Sequence, residues 1–347
     1  DPWQVENADQ LHSVRDHLGA HYILVSDVDL GVAPYNEDEG WEPIGVYIEY
    51  NDPGNAPFTG TFDGNGYTIN NLYINRPGED FQGLFRDVRG ALITNVTLSN
   101  IDITGFNFAG GLVGQNTQGI ISNAVVSGIL AANGGSGGMV GIHSQQGALI
   151  TDSHAYVDVT GVSGLGGLVG TAHSSSYIDK SSAEGTITGT GEGFGNVGGL
   201  VGTISLSSGI ANSHATGDVM SAGSRVGGIT GAFTSGRGSD FVNCYATGNV
   251  TGVSFVGGLV GYLLDSDIAD SYATGDVEGE AYVGGLVGDN DNGVIVYYPI
   301  TNWRHETFAS GNVTGTGSMG RVGGLVGSNR GSIVRAYATG SVVGTAQ

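Results

Sequence analysis

Apolar and small residues recur along most of the chain at a long, regular period. GGLVG stands at Gly110–Gly114, Gly166–Gly170, Gly198–Gly202, Gly257–Gly261, Gly284–Gly288 and Gly323–Gly327, with the variants GGMVG at Gly137–Gly141 and GGITG at Gly227–Gly231. The steps between successive second glycines are 27, 29, 32, 29, 30, 27 and 39 residues, and a degenerate copy, QGLFR, lies one period upstream at Gln82–Arg86. Self-similarity at about 28 residues predicts stacked repeats in which each unit contacts only its neighbours.

Inside each unit the pattern resolves into columns. An anchor column reads Ile121, Ile150, Ile178, Ile210, Phe241, Ile268 and Ile333. Three residues on come Ala124, Ser153, Ser181, Ser213, Cys244, Ser271 and Ala336, and two further on Val126, Ala155, Ala183, Ala215, Ala246, Ala273 and Ala338. After the next turn comes a β-branched column: Ile129, Val159, Ile187, Val219, Val250, Val277 and Val342. Side chains two apart share a strand face, so the small columns point inward and let the walls of a narrow tube approach. The glycines of GGLVG and of the following ATG stretch are expected to make the corners, where φ is positive. The fold this predicts is all-β: a single parallel β-helix, right-handed by the crossover preference, its rungs about 4.8 Å apart and its length of order 50 Å.

The leader reads differently. Residues 3–18 read as an amphipathic helix, with Asn7 and Gln10 as a capping box and Leu11, Val14 and Leu18 as its apolar stripe. It is the expected N-terminal cap over the first rung. His21–Leu30 alternates Ile23, Val25, Val28 and Leu30 and predicts the first strand region, and Phe58–Ile74 predicts strand, turn and strand. The organisation expected is a capping helix and first strand at 1–30, irregular leading rungs with long loops at 31–104, and the repeat solenoid at 105–347, interrupted at 297–307.

Composition narrows the partners. The chain has 347 residues, with 33 Asp and Glu against 11 Lys and Arg, a net charge of −22. No basic stripe exists to neutralise phosphates, which excludes nucleic acid as the natural partner, and the same charge disfavours an anionic membrane surface. No apolar run is long enough to span a bilayer. Lys180 is the only lysine. Two readings fit so acidic a surface: adaptation to high salt, which screens self-repulsion, or an ordinary acidic secreted protein. Cys244 is alone, so it reads as a packed core thiol. Three sequons, at Asn95, Asn249 and Asn312, are N-glycosylation candidates if the chain is exported.

Three sets of residues invite a chemical reading. After ATG a turn column reads Asp218, Asn249, Asp276, Asn312 and Ser341. Its acids alternate with amides, so this is a structural ladder and a poor metal site: two acids two rungs apart, at about 9.6 Å, cannot share one small ion. Asp152 and Lys180 fall on successive rungs and read as a cross-rung pair. The column His154, His214, Tyr245, Tyr272, Phe308 and Tyr337 points outward and reads as a packing ladder, the alternative being a sugar-binding platform. The insertion exposes Tyr297, Tyr298, Trp303, Arg304, His305 and Glu306, residue types enriched at binding hot spots, and is the strongest candidate for partner or glycan contact. The competing reading is a loop folded back over a core edge.

The GGLVG repeat with its NSYATG-like partner resembles the GLUG-motif repeat of prokaryotic surface proteins. The leader is similar to the segment that often precedes such repeats: W-x-x-E-x-A-D-Q-L at Trp3–Leu11, D-V-D-L at Asp27–Leu30, P-I-G at Pro43–Gly45 and F-T-G-T-F-D-G-N-G-Y-T-I at Phe58–Ile69. The resemblance implies a β-solenoid at the cell surface, as in adhesins or accessory regions of large secreted enzymes, and it brings no catalytic residues. The expectation is a non-enzymatic extracellular module making cell, glycan or subunit contacts. The alternatives are a polysaccharide-processing β-helix enzyme and a viral receptor-binding fibre. No cofactor is expected, although the acidic loops Glu37–Glu39 and Glu49–Asp52 have the chemistry to bind Ca²⁺. The chain ends on SVVGTAQ, a regular rung, so its open end is expected to continue into a longer parent chain or to dock on another subunit.

Overall fold

The anchor column becomes one wall of a solenoid. In the computed structural model, which describes all residues except 50, 237–240, 297–305, 319 and 345–347, twelve short parallel strands run from Trp3–Val5 to Ser332–Val334. Tyr22, Phe62, Ile93, Ile121, Ile150, Ile178, Ile210 and Phe241 are successive register partners, and all eight are buried. A second wall of nine strands, from Phe85–Arg89 to Val326–Asn329, grows out of GGLVG. The third is a single long strand in early rungs, such as His154–Ser163, and two short ones in later rungs, such as Tyr272–Ala273 and Val277–Gly279. A further five-stranded sheet, from Phe194–Gly198 to Val322–Gly323, precedes GGLVG in the later rungs. The chain is therefore a parallel β-solenoid. Its core is a narrow column of Val, Leu, Ile, Ala and Phe between the walls.

The repeat glycines do not make the corners, contrary to the expectation from sequence. None in GGLVG or ATG has positive φ. Their role is close approach. A Cβ on Gly199 would run into the carbonyl oxygen of Gly228, and one on Gly217 into that of Gly185. Successive rungs stack there backbone on backbone, and across the core a Cβ on Gly228 would stand 2.6 Å from Ala246 Cβ on the third wall. Positive φ falls instead mostly on other residues, in three columns. One lies before GGLVG (Phe81, Phe108, Gly135, Gly164, Asn196, Arg225, Phe255, Tyr282), a second after it (Gln118, Gln145, Ser174, Asp265, Asn292). The third follows the anchor strand: Asn95, Asn123, Asp152, Lys180, Asn212, Asn243, Asp270 and Arg335.

Asparagine suits the third corner twice over. It tolerates the left-handed region, and its amide joins the next rung: Asn123 Nδ2 donates to Asn95 Oδ1 at 2.8 Å and Asn243 Nδ2 to Asn212 Oδ1 at 2.8 Å. The expected Asp152–Lys180 pair is not formed. Lys180 Nζ stands 3.8 Å from its neighbour Asp179, and Asp152 accepts from Thr151.

Serine in the first small column has a polar reason as well as a steric one. Each buried hydroxyl donates to the carbonyl two residues earlier and accepts a backbone N–H from the preceding rung. Ser181, for example, donates to Asp179 O at 2.8 Å and accepts from Ser153 N at 3.3 Å. Cys244 takes the same place, its thiol donating to Val242 O at 3.4 Å. Burial pushes that thiol up to about 12, so it is a stand-in for serine and inert as a nucleophile.

The leader is only partly helical. Trp3–Val5 is a strand, paired with His21–Leu24, and the helix is confined to Ala8–His12 with a 3₁₀ turn at Ser13–Asp16. Asn7 caps it, accepting from Gln10 N at 3.0 Å, while Gln10 reaches back to Glu6 N rather than to Asn7. One turn of the coil is thus closed by a helix in place of two strands. Leu11 and Val14 are fully buried, and Arg15 bonds Glu42 at 2.7 Å beside the buried Trp41. The phase of the first strand is also reversed: Tyr22 and Leu24 face inward, not Ile23 and Val25. Stacking in register is established by Thr61–Asp63, well before residue 105, so the irregularity of 31–104 lies in its loops rather than its rungs.

Two substitutions test this account. Gly199→Ala should destabilise by about 2–3 kcal/mol, because the added methyl must push the backbone of the next rung aside. Lys180→Asn should stabilise by about 1 kcal/mol by relieving a left-handed lysine. Denaturant melts measure both. A neutral Gly199→Ala would show that the glycine column does not constrain the backbone as described, and a destabilising Lys180→Asn would show the same of the corner column.

Candidate functional site

The ring column on the third wall forms a continuous stack. His214 and Tyr245 lie 4.6 Å apart between centroids at 5°, Tyr245 and Tyr272 5.1 Å at 4°, Tyr272 and Phe308 4.9 Å at 1°, and Phe308 and Tyr337 5.5 Å at 13°. His154 is set apart by the small Ser182, whose hydroxyl lies 2.8 Å from its Nδ1. Rings stacked along the axis cover one another's faces and present only their edges outward. A sugar platform needs an exposed face, so this geometry favours packing over binding.

The turn column is used in the same way. Asp218 Oδ1 accepts from Asn249 N at 2.8 Å, Asn249 Oδ1 from Asp276 N at 3.0 Å, Asp276 Oδ1 from Asn312 N at 2.7 Å and Asn312 Oδ1 from Ser341 N at 3.2 Å. Each side chain closes the turn of the next rung. Two sequon asparagines, Asn249 and Asn312, belong to this ladder, and Asn95 belongs to the asparagine corner, where it donates to Asp63 at 2.9 Å. Among the described residues no three His, Cys, Asp or Glu converge as a metal site.

Five of the six insertion candidates, Tyr297, Tyr298, Trp303, Arg304 and His305, lie outside the described residues. Glu306 is exposed and accepts from Tyr337 Oη at 2.6 Å. Thr307 is a buried strand residue whose hydroxyl bonds Val296 O at 2.7 Å, so the excursion leaves and returns at one point of the coil.

A surface not foreseen from the sequence is formed where the corner before GGLVG meets the second wall. Arg225 lies over two rings, its Cζ 4.5 Å from the Phe194 centroid and 4.6 Å from that of Tyr262. Phe255 stacks on Tyr282 at 4.8 Å, and Arg321 covers Tyr282 at 5.3 Å. Phe194 is 66% exposed. Beside the cluster, Arg330 pairs with Asp289 at 3.0 Å and with Asp291 at 3.1 Å. Arg225 and Arg321 have no carboxylate partner among the described residues, although the chain carries three acids for every base. The signal in the sequence was the column Arg225, Phe255, Tyr282. It is visible only once the corner, rather than the strand, is taken as the unit.

One buried histidine is structural. His143 Nδ1 lies 3.1 Å from Asn116 Nδ2, which can only donate, so Nε2 carries the proton and donates to Tyr177 O at 3.1 Å. Burial lowers its pKa to about 4. Asn116 and Asn290 in the same inner column cap their own turns, bonding Gly119 and Gly293.

With the geometry in hand, comparisons place the repeat. The GLUG motif matches residues 255–278. Halomucin from Haloquadratum walsbyi is 34% identical over 166 residues, covering 46% of this chain and 2% of halomucin. A protein described as a Gly-rich membrane protein, from Evansella cellulosilytica, is 35% identical over 130 residues, covering 36% of this chain and 14% of that protein. The chain therefore matches a small part of each relative's length. A crystal structure described as an immunoglobulin A1 protease from Bacteroides ovatus aligns with a TM-score of 0.49 and 18% identity, covering 98% of this chain and 84% of that one.

His143 gives this region a signature in pH. Its folded pKa is depressed below the ordinary 6.5, to about 4. Its contribution is therefore fully present above 6.5 and declines as pH falls toward 4, by about 3 kcal/mol over the whole window. Asp87, raised by burial to about 6, acts in the opposite direction over an overlapping range. The difference between wild type and His143→Asn isolates the histidine: the variant should lose less stability on acidification from pH 7 to pH 4. Parallel melting curves across that range would contradict the buried neutral ring.

Proposed function

We propose that this chain is a non-enzymatic, extracellular structural and adhesive segment of a cell-surface protein: a stiff rod that presents corner and loop residues to a partner protein or glycan. The observation that carries the reading is the Arg225 surface. Along most of the solenoid, outward side chains are committed to neighbours on adjacent rungs, as in the ring, turn and asparagine ladders. The cluster of Phe194, Arg225, Phe255, Tyr262, Tyr282 and Arg321 differs. It offers an exposed ring and guanidinium groups without carboxylate partners among the described residues, the residue types that dominate contact energetics.

Location is supported by the relatives' descriptions, a halomucin and a membrane protein. The acidic surface supports a salty exterior, where screening relieves the self-repulsion of a net −22. No helix among the described residues is long and apolar enough to cross a membrane. The rod is taken to work without metal or cofactor, and its further partners are the parent chain or other subunits.

The test pairs Phe194→Ser with Arg225→Asn. Asparagine accepts the positive φ of 63° at that corner, so the fold should hold while the contact is lost. Attachment of the chain to glycan-coated or cell-coated surfaces should fall about tenfold or more, with the melting temperature nearly unchanged. Undiminished attachment of a folded double variant would remove this surface from the reading. Release of oligosaccharides from a polysaccharide panel would replace the whole reading with an enzyme.

A further inference from the structure

A second candidate lies where the leader folds back onto the first repeats. Residues 45–57 leave the second wall at Ile44 and return at Phe58. Both ends are sewn to the strand Phe85–Arg89: Arg86 N donates to Ile44 O at 2.7 Å, Phe58 N to Asp87 O at 2.8 Å and Arg89 N to Phe58 O at 2.9 Å. Between these ends Val46 and Ala56 exchange backbone hydrogen bonds, both at 2.9 Å, and make a small roof. Under it is a cavity of about 150 Å³ lined by Tyr47, Asn51, Arg89, Gln115, Thr117, Gln118 and Gln145.

The lining is chemically unusual for this chain. It has no carboxylate in a protein with 33 acids. It has four amides, three of which come from two successive rungs, Gln115 and Gln118 from one and Gln145 from the next. Gln115 and Thr117 stand on the strand next to Asp87 and Arg89, in register with them, and Gln118 and Gln145 are consecutive members of a left-handed corner column. Thr117 is 6% exposed, and its hydroxyl lies 3.3 Å from Gln115 Nε2. The Tyr47 ring is held against Phe81, centroids 4.7 Å apart.

Beneath the roof lies a carboxylate. Asp87 is fully buried, and neither of its carboxylate oxygens has a hydrogen-bond partner among the described residues. Its compensation is Arg89 Nη2, 3.5 Å away, and Arg89 reaches on to line the cavity. A buried carboxylate without hydrogen bonds is costly. Burial accordingly pushes Asp87 up to about 6. In return it holds the guanidinium at the cavity wall and cancels its charge there. The wall then offers N–H donors and amide acceptors without a net field that would select an anion or a cation.

We infer that this cavity is a binding site for a neutral, hydroxyl-rich saccharide, with one sugar ring under the roof. Each amide supplies both a donor and an acceptor, and each sugar hydroxyl needs both. The Tyr47 ring supplies the apolar side of the site. A divalent cation is unsuited because the lining has no carboxylate. A uronate is disfavoured because Arg89 is already paired. The site shares no residue with the Arg225 surface, so each stands or falls by itself.

The experiment is titration calorimetry of the full chain at pH 7.5 against cellotriose, mannotriose and galactotriose, with a galacturonate trimer as the charged comparison. The variant is Gln118→Asn with Gln145→Asn. Asparagine is at home at positive φ, here 59° and 75°, so the corner is kept while both amides withdraw by a methylene. At least one neutral trimer should bind saturably and more tightly than the galacturonate, and the variant should bind it about tenfold more weakly at an unchanged melting temperature. Saturable binding unaffected by the double substitution would overturn the site. So would preference for the galacturonate, or no saturable binding of any trimer. Attachment lost by the Phe194→Ser and Arg225→Asn variant while trimer binding persists, or the reverse, tells which of the two surfaces has failed.

Discussion

The constraint on which this structure depends is that every position must tolerate a copy of itself one rung above and one below. The tightest form of that rule is backbone against backbone. At Gly199 and Gly228, and again at Gly185 and Gly217, the space for a Cβ is occupied by the carbonyl of the neighbouring rung. The same glycines let the walls come close: a Cβ on Gly199 would stand 3.0 Å from Ala215 Cβ on the third wall. The residue choice opposite follows from that distance: alanine faces these glycines in the second small column, Ala215 against Gly199 and Ala246 against Gly228. The high glycine content, 65 of 347 residues, therefore reflects crowding rather than flexibility.

Self-stacking also decides where polar groups can go. A charge repeated at every rung would meet itself at about 4.8 Å. Amides and hydroxyls avoid this because each gives with one end and takes with the other. The asparagine corner, the buried serine column and the turn column are three solutions of the same kind, the first two binding rung to rung through side chains and the third closing the next turn. Where an acid enters a ladder, as at Asp218 and Asp276, it is separated from the next acid by an amide and accepts a backbone N–H. Most of the remaining acids sit on exposed loops and turns, where salt screens them, with Asp87, Asp270 and Asp289 the buried exceptions.

This explains which features the sequence discloses. Period, wall composition and the inward small columns are legible because they repeat, and the anchor residues fall where the period puts them. The glycine role was misread because close approach and positive φ both select glycine, and sequence alone does not separate them. Asn123, Asn212 and Asn243 recur at the repeat period, but the sequence does not mark them as a corner, since the left-handed backbone there is also accepted by Lys180 and Arg335. The leader was harder for a different reason. Trp3–Val5 shows helical spacing with Leu11 but is drawn into the anchor wall by pairing with His21–Leu24, a tertiary contact that outweighs local preference. The Asp87 cavity has no sequence signature, because its roof and floor come from segments that meet only on folding.

A strict ladder also limits what a solenoid can recognise. A side chain committed to its neighbours above and below has little left to offer a partner, so binding capacity should concentrate where the self-stacking rule is broken. The described structure breaks it in two ways. At Arg225 the corner column changes from small to large residues, and a guanidinium is caught between rings of different rungs rather than paired with an acid. At Asp87 a loop that belongs to no repeat is laid over the wall, burying a carboxylate the ladder cannot satisfy and enclosing amides that would otherwise meet only water. In both cases the regular rungs hold the irregular residues in place. The rod supplies the rigidity and the departures from repetition supply the chemistry, which is why a change in one loop or corner can alter recognition without disturbing the stack beneath it.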